Sequence, residues 1–326
     1  MLDVTALGEL LIDFAPVTAD PDGYPVVAAK PGGAPPNYLA ALAAYGAKTA
    51  MLGKVGADAF GRLLIQTLKK AGILTEGIVE DSSVFTTLAF VTLDPGGDRS
   101  FSFARKPGAD TCLRFDELKL SLIDDASVFH FGTLSLTDQP ARDTTQRAVE
   151  YARSRGKMIT FDPNLRVSLW DDPEDAKAQI LWGLERSDIV KISDEEVFFL
   201  WGCDVGEGSG RLLDEYGVKL AMVTLGAEGA HLKNRNASVF VSCPAVNPVD
   251  TTGAGDIFGG SAVSRILRLG KQPRDLSEGE LAGIAEFSTA AASLSTQKAG
   301  GMPSVPGEEE VYAVMRDTDF RVRDRE

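Results

Sequence analysis

Asp250-Thr-Thr-Gly-Ala-Gly-Asp256, continued by Ile257-Phe-Gly-Gly260, is the stretch on which the reading of the chain turns. It follows a short apolar run containing a proline, Ala245-Val-Asn-Pro-Val249. It leads into residues at helical spacing: Phe258, Ala262, Ile266 and Leu269. Strand, glycine turn and helix in that order aim free backbone N–H groups at whatever occupies the turn. Asp256 stands directly after the second glycine, so an anion site and a candidate general base lie side by side. Phosphoryl transfer onto a hydroxyl needs both: the carboxylate accepts the hydroxyl proton as the bond to phosphorus forms, and the amides of Gly253, Ala254 and Gly255 steady the charge on the transferred oxygens. The same spacing also suits a plain helix start, with Asp256 favoured by the helix dipole. A dinucleotide-binding turn, Gly253-x-Gly255-x-x-x-Gly259, is a further option. It would require another βαβ unit downstream, which the last quarter of the chain does not offer.

Composition narrows the class. The chain has 326 residues, 44% hydrophobic and 25% charged, enough for a large α/β core without disulfide or metal staples. Cys112, Cys203 and Cys243 lie far apart, as reduced thiols do. A formal net charge of −14 argues against nucleic acid or an anionic membrane as partner. It also requires any phosphate site to be built locally from glycine amides and a few cations. The N-terminus lacks a basic region and a cleavage signature, and no apolar run reaches the length of a membrane span, so the expected location is cytoplasmic. With only His130 and His231, zinc hydrolases and Ser-His triads have little support.

Periodicity predicts alternating helices and strands. Helices are expected over 37–45, 61–71, 142–155, 174–186, 254–269 and 278–296. Strands are expected over 49–55, 127–131, 158–162, 189–192 and 221–225, with a hairpin over 229–243. Such alternation implies a mostly parallel sheet with helices on both faces. Two strand-rich segments, about 12–30 and 85–106, interrupt it. The second turns at Pro95-Gly-Gly97, and together they suggest a small β-sheet lid that excludes water from a transfer reaction.

Several polar motifs fall at strand ends, where parallel sheets collect ligands. Asp13 leaves an apolar strand, where a carboxylate either holds two polyol hydroxyls or is simply solvated at the strand end. Pro31-Gly-Gly-Ala-Pro-Pro-Asn37 combines paired glycines with an amide, although Asn37 also suits a helix N-cap. Phe161-Asp-Pro-Asn-Leu-Arg166, Lys191-Ile-Ser-Asp-Glu-Glu196 and Thr224-Leu-Gly-Ala-Glu-Gly229 occupy successive strand ends. No Walker-type loop is present, so any nucleotide is held in another way.

Together these motifs resemble the PfkB (ribokinase-like) family of carbohydrate kinases nearly end to end. The resemblance rests on Gly8-Glu9…Asp13, Gly32-Gly33…Asn37, Gly53-Lys-Val-Gly56…Asp58…Gly61, Asp162-Pro-Asn164, Thr224-Leu-Gly226…Gly229 and Asp250–Asp256. Within the family the chain is most similar to bacterial and plant-type fructokinases, through Phe103-Ala-Arg105-Lys-Pro-Gly-Ala-Asp110, Phe161–Arg166 with Leu169-Trp170, and Lys191–Glu196. The resemblance implies one PfkB kinase domain over 1–326, a three-layer α/β/α sandwich with a β-lid, and ATP-dependent phosphorylation of a sugar hydroxymethyl group. Fructose is the expected acceptor and 2-keto-3-deoxygluconate the closest rival.

The resemblance further implies Asp256 as base, with Gly253, Ala254 and Gly255 as anion hole. Asp13, Gly32, Gly33 and Asn37 would hold the sugar, Arg105 would reach in from the lid, and Arg166 would face the same edge. Lys191, Thr224, Gly226 and Gly229 would line the nucleotide site. Glu196 would organise Mg²⁺ through water, with Ser193 where the family's motif has Asn. Asp250, Thr252, Ser295, Lys298, Gly300 and Ser304 match a K⁺ site built mainly from backbone carbonyls. Ala104 stands where related members often carry an aromatic, which implies a wider pocket. Exposed lid strands suggest a homodimer formed through the lid.

Overall fold

The computed structural model describes residues 1–93, 99–320 and 322–323. The chain opens with β1 (Leu2–Leu7), β2 (Leu11–Ala19), β3 (Pro25–Gly32), α1 (Ala34–Ala44), β4 (Thr49–Gly56), α2 (Ala59–Lys70) and β5 (Leu74–Asp81). Next come β6 (Thr87–Leu93), β7 (Arg99–Ala104), α3 (Ser121–Asp124), β8 (Ala126–Gly132), α4 (Ala141–Ser154), β9 (Met158–Asp162) and α5 (Pro173–Leu184). Then follow β10 (Ile189–Ser193), α6 (Asp194–Trp201), α7 (Val205–Asp214), β11 (Leu220–Thr224), β12 (Gly229–Lys233) and β13 (Ser238–Ser242). The C-terminal part holds α8 (Ala254–Leu269), α9 (Glu278–Ser295), α10 (Glu308–Asp317) and β14 (Val322–Arg323).

Ten strands form one sheet in the order β14-β13-β12-β11-β10-β9-β8-β1-β4-β5. Pairing is parallel from β5 to β11 and antiparallel from β11 to β14. The central strands are apolar on both sides, as a sheet covered on both faces requires. Along β1, Val4 and Ala6 enter one core with α1, α2, α8 and α9, whereas Leu7 enters the other with α4, α5, α6 and α7. In β8, Val128 joins the first core, and Phe129 and Phe131 join the second.

A separate four-stranded sheet, β3-β2-β6-β7, is the expected lid. The expected turn at 95–97 lies outside the described residues. The parallel pair β2–β6 joins two segments distant in sequence, and Phe14 stacks on Phe90 across it with ring centroids 5.2 Å apart. The sequence reading missed β5, α3, α6, α7, α10 and β14. In β5 the apolar alternation is broken by Glu76 and Gly77. In α7 three glycines stand among the helical positions.

One correction concerns α1. It begins at Ala34, with Gly33 as N-cap and prolines in its first turn, rather than near Asn37. Asn37 is therefore not an N-cap, and its amide is free to project from the first turn. The helix lies close against α8, because Gly260 leaves no side chain between them. A Cβ there would stand 2.3 Å from the Tyr38 carbonyl oxygen and 2.9 Å from the Ala41 Cβ. At Gly259 the nearest atom would be 3.5 Å away, an ordinary contact. Gly260→Ala is accordingly expected to destabilise the protein by about 1–3 kcal/mol in urea unfolding, and Gly259→Ala by much less. Equal effects at the two positions would mean that the α1–α8 crossing is not what requires glycine.

Candidate active site

The carboxyl ends of β1, β9 and β10, the first turns of α1 and α8, and the lid enclose a cavity of about 510 Å³. Of the expected residues, Asp13, Gly33, Asn37, Arg166, Lys191, Glu196, Thr252, Gly253, Gly255 and Asp256 line it. The N-cap of α8 is Gly253, whose φ of 78° lies in the left-handed region. A Cβ there would also come within 3.0 Å of both the Asn37 amide nitrogen and the Gly301 Cα. The turn can thus be tight enough to bring α8 against α1 only with glycine at this point.

Asp256 is buried in the first turn of α8. Asn37 donates from Nδ2 to its Oδ2 at 2.9 Å, joining the two helices across the cavity floor. Burial pushes the Asp256 carboxyl up to about 8. The charge of Asp162 adds to the rise, and the Asn37 hydrogen bond, Lys191 and Arg166 oppose it. Asp13 is raised to about 6, again chiefly by burial, with Arg166 pulling it down and Asp250 pushing it up.

Lys191 supplies the local positive charge. Its ammonium stands 3.1 Å from Asp162 Oδ2 and lies against Gly255, where a Cβ would be 2.9 Å from Nζ. Burial works against its charge, but Asp162, Glu196 and Asp256 together hold it protonated. Glu196 closes a capping box on α6: it accepts the Ser193 N–H at 2.8 Å, while its own N–H donates to Ser193 Oγ at 3.1 Å. Its other oxygen accepts the Leu165 N–H at 2.7 Å, which ties the loop carrying Arg166 to α6.

Helix geometry leaves the first amides of α8 without intrahelical partners. The Ala254 N–H, one of the three amides of the expected anion hole, donates to the Thr251 carbonyl at 3.2 Å. Gly32 packs against the Asp13 carboxylate rather than lining the cavity. Thr224 pairs in register with Ser193, which does line it. Gly226 and Gly229 lie beyond the wall, and a Cβ at Gly229 would stand 2.0 Å from the Val241 carbonyl oxygen.

Arg105 is not at the cavity surface. Its guanidinium is buried, with Nε 2.8 Å from Asp110 Oδ2, and donates to Thr137 Oγ1 at 2.8 Å and the Leu134 carbonyl at 2.6 Å. It fastens the end of β7 to the core. From the lid strand β7 it is Phe103 that lines the cavity, with Glu9, Leu134 and Phe199 as further wall residues that sequence reasoning did not place there.

For the matched K⁺ positions, Asp250 bridges two loops. Its Oδ1 accepts the Thr252 N–H at 3.0 Å and its Oδ2 the Gly300 N–H at 2.9 Å. Asp250, Thr252 and Gly300 line a second cavity of about 360 Å³, which Ser295, Lys298 and Ser304 do not reach. The hydroxyls of Ser295 and Ser304 are turned to the Ala292 and Gly301 carbonyls. Among the described residues no group of three or more His, Cys, Asp and Glu is arranged to hold a metal ion, and no helix is long and apolar enough to cross a membrane.

Comparison with known proteins places this geometry in a family. The model for the pfkB family carbohydrate kinases matches residues 1–307. "Fructokinase-1" of Zea mays is 42% identical over 316 residues, 96% of this chain and 97% of that protein. "Probable fructokinase-4" of Arabidopsis thaliana is 39% identical over 319 residues, 96% of each. Among solved structures, the fructokinase of Xylella fastidiosa with bound ATP superimposes with a TM-score of 0.88 at 30% identity, covering 97% of this chain and 98% of that one. The fructokinase of Vibrio cholerae O395, bound to fructose, ADP and calcium, gives 0.84 at 31% identity, covering 96% and 99%. The chain belongs to the pfkB family of carbohydrate kinases.

Proposed function

We propose that this protein is one kinase domain over residues 1–326, lid included, which transfers the γ-phosphoryl group of ATP to the hydroxymethyl oxygen of fructose, giving fructose 6-phosphate. The observation that carries this reading is a buried carboxylate, Asp256, held by Asn37 at a helix N-terminus inside a lidded cavity. Plant relatives named fructokinase and a fructose-bound structural neighbour support the choice of sugar. So does the wall chemistry. Glu9, Asp13 and Asp256 line the cavity, whereas Arg105 is engaged by Asp110. Of the two guanidiniums that could pair with the carboxylate of 2-keto-3-deoxygluconate, Arg105 is thus withdrawn, whereas Arg166 lines the cavity.

In this mechanism Asp13, Asn37, Gly33 and Arg166 bind and orient the sugar, with Gly32 shaping Asp13. Asp256 takes the hydroxyl proton as that oxygen attacks phosphorus and the bond to ADP breaks. The Gly253 and Gly255 amides, aided by Lys191, bear the charge on the transferred oxygens. Thr224, Gly226 and Gly229 border the nucleotide. Both Glu196 oxygens accept backbone N–H groups, so Glu196, on the cavity wall, would hold a Mg²⁺ ion through the ion's water shell rather than directly. Such an ion would neutralise phosphate charge. K⁺ would be held by carbonyls of the 250–252 and 295–304 loops, since the Ser295 and Ser304 hydroxyls are engaged. Three free cysteines support a cytoplasmic location. Val17, Tyr24, Val26 and Val27 are exposed on the lid, which supports a homodimer through it.

Five outcomes are expected. In a substrate panel with ATP, fructose is turned over and 2-keto-3-deoxygluconate is not; the reverse result would overturn the sugar assignment. Asp256→Asn should lower kcat by about 10²–10⁴-fold while fructose still binds in calorimetry, and full turnover would remove the base assignment. Because the free enzyme's base titrates near 8, kcat/KM should climb with pH up to about 8 and then level. A profile flat from about pH 6 to 9 would contradict it. The same raised value makes the folded state bind a proton that the unfolded chain has released, so this group's contribution to stability is lost as pH rises from 3.8 towards 8. Asp256→Asn should therefore melt higher than the parent protein near pH 8, and a lower melting point would count against the buried-carboxylate reading. Finally, sedimentation should show a dimer that Tyr24→Lys with Val27→Asp converts to monomer; a monomeric parent would exclude the lid interface.

A further inference from the structure

Glu9 has no part in the transfer described above, yet it is buried beside it. It follows β1 and precedes the lid strand β2, at the point where the chain passes under the first turn of α1. Its Oε1 accepts the Ala34 N–H at 2.7 Å. Ala34 is the first residue of α1, so this side chain serves one of the amides that the helix leaves unpaired. The neighbouring Gly33 has a φ of 118°, and a Cβ on it would stand 2.5 Å from the Glu9 carbonyl oxygen. Backbone and side chain of one residue thus both fix the start of α1.

One turn further on, the Asn37 N–H donates to the Gly33 carbonyl at 3.2 Å, and the Asn37 amide reaches Asp256. We propose that Glu9 is a positioning residue for phosphoryl transfer, holding the first turn of α1 so that Asn37 keeps its hydrogen bond to Asp256. This rests on the reading of Asp256 as the base.

The role belongs to the acceptor oxygen rather than to the charge. Burial pushes the Glu9 carboxyl up to about 7, the Ala34 amide pulls it back, and the nearby Asp110 and Arg105 act in opposite directions. A group titrating so near neutrality spends part of its time uncharged, and a neutral carboxyl or amide can still accept an N–H.

The test compares Glu9→Gln, Glu9→Asp and Glu9→Ala, alone and combined with Asn37→Ala, using the best acceptor from the substrate panel. Glu9→Gln keeps an acceptor at the same reach and should retain kcat within about threefold, whereas Glu9→Asp and Glu9→Ala should lose about ten- to a hundredfold. In the Asn37→Ala background the same changes should cost almost nothing further in kcat, because the contact they act through is already gone. An equal loss in both backgrounds would overturn the proposal, as would a Glu9→Gln as impaired as Glu9→Ala. If Glu9→Ala does not fold, the Gln and Asp variants decide by the same comparison. NMR of the Asn37 side-chain amide gives a readout free of any sugar: its hydrogen-bonded shift should persist in Glu9→Gln and vanish in Glu9→Asp. A parent enzyme that phosphorylates no sugar would defeat the assignment of the site, while the amide shift would still report on Glu9.

Discussion

The hydrogen bond from Asn37 to Asp256 is the contact on which the arrangement of the site depends. It joins residues 219 apart in sequence, one from the first turn of α1 and one from the first turn of α8. Both helices must come closer than side chains normally permit. Gly260 allows it along the crossing, and Gly253 and Gly301 allow it around the Asn37 amide itself. The main sheet supplies the platform, since β1 leads into Glu9 beneath α1, while β9 and β10 deliver Asp162 and Lys191 beneath α8. Layered packing thereby becomes a fixed distance between a carboxylate and its orienting amide.

That geometry gathers like charges. Asp256 and Asp162 are both buried: the charge of Asp162 adds to the rise that burial imposes on Asp256, and Asp162 is itself raised by burial and by Glu196. Lys191 sits between them and stays protonated because three carboxylates outweigh its desolvation. The protein as a whole is strongly acidic, which disfavours the approach of a polyphosphate. At the proposed site Lys191, Arg166 and the amides at the α8 N-terminus bring positive charge to the cavity wall. The raised Asp256 value also puts a carboxylate, ordinarily a feeble base, in the range where proton transfer near neutral pH is efficient.

Much of this was legible in the sequence, for definable reasons. The alternation of apolar strands and amphipathic helices is local, and it announced the parallel sheet and most of its elements. The lid segments read as strands through runs such as Phe85-Thr-Thr-Leu-Ala-Phe-Val-Thr-Leu93, rich in β-branched and aromatic residues. The turn Gly253-Ala-Gly-Asp256 was visible as a glycine turn at a helix N-terminus with a carboxylate beside it, because its members are adjacent in sequence. Elements with weak periodicity were lost, such as the glycine-containing α7 and the charged β5. Side-chain direction was lost as well. Arg105 is spaced from the lid as a sugar ligand would be, but Asp110, five residues on, captures its guanidinium. Asn37 suited a helix cap until Pro35 and Pro36 moved the start of α1 one turn earlier. Glu9 carried no local signal, because its partner Ala34 is 25 residues away.

A crystal structure with fructose and ADP bound tests the central claim most directly. The account predicts the hydroxymethyl oxygen about 2.6–3.2 Å from an Asp256 carboxylate oxygen, in line with the phosphate end of the nucleotide, and with Asn37 still bound to Asp256. A sugar whose hydroxymethyl group lies out of hydrogen-bond reach of Asp256, with another side chain nearer, would contradict it.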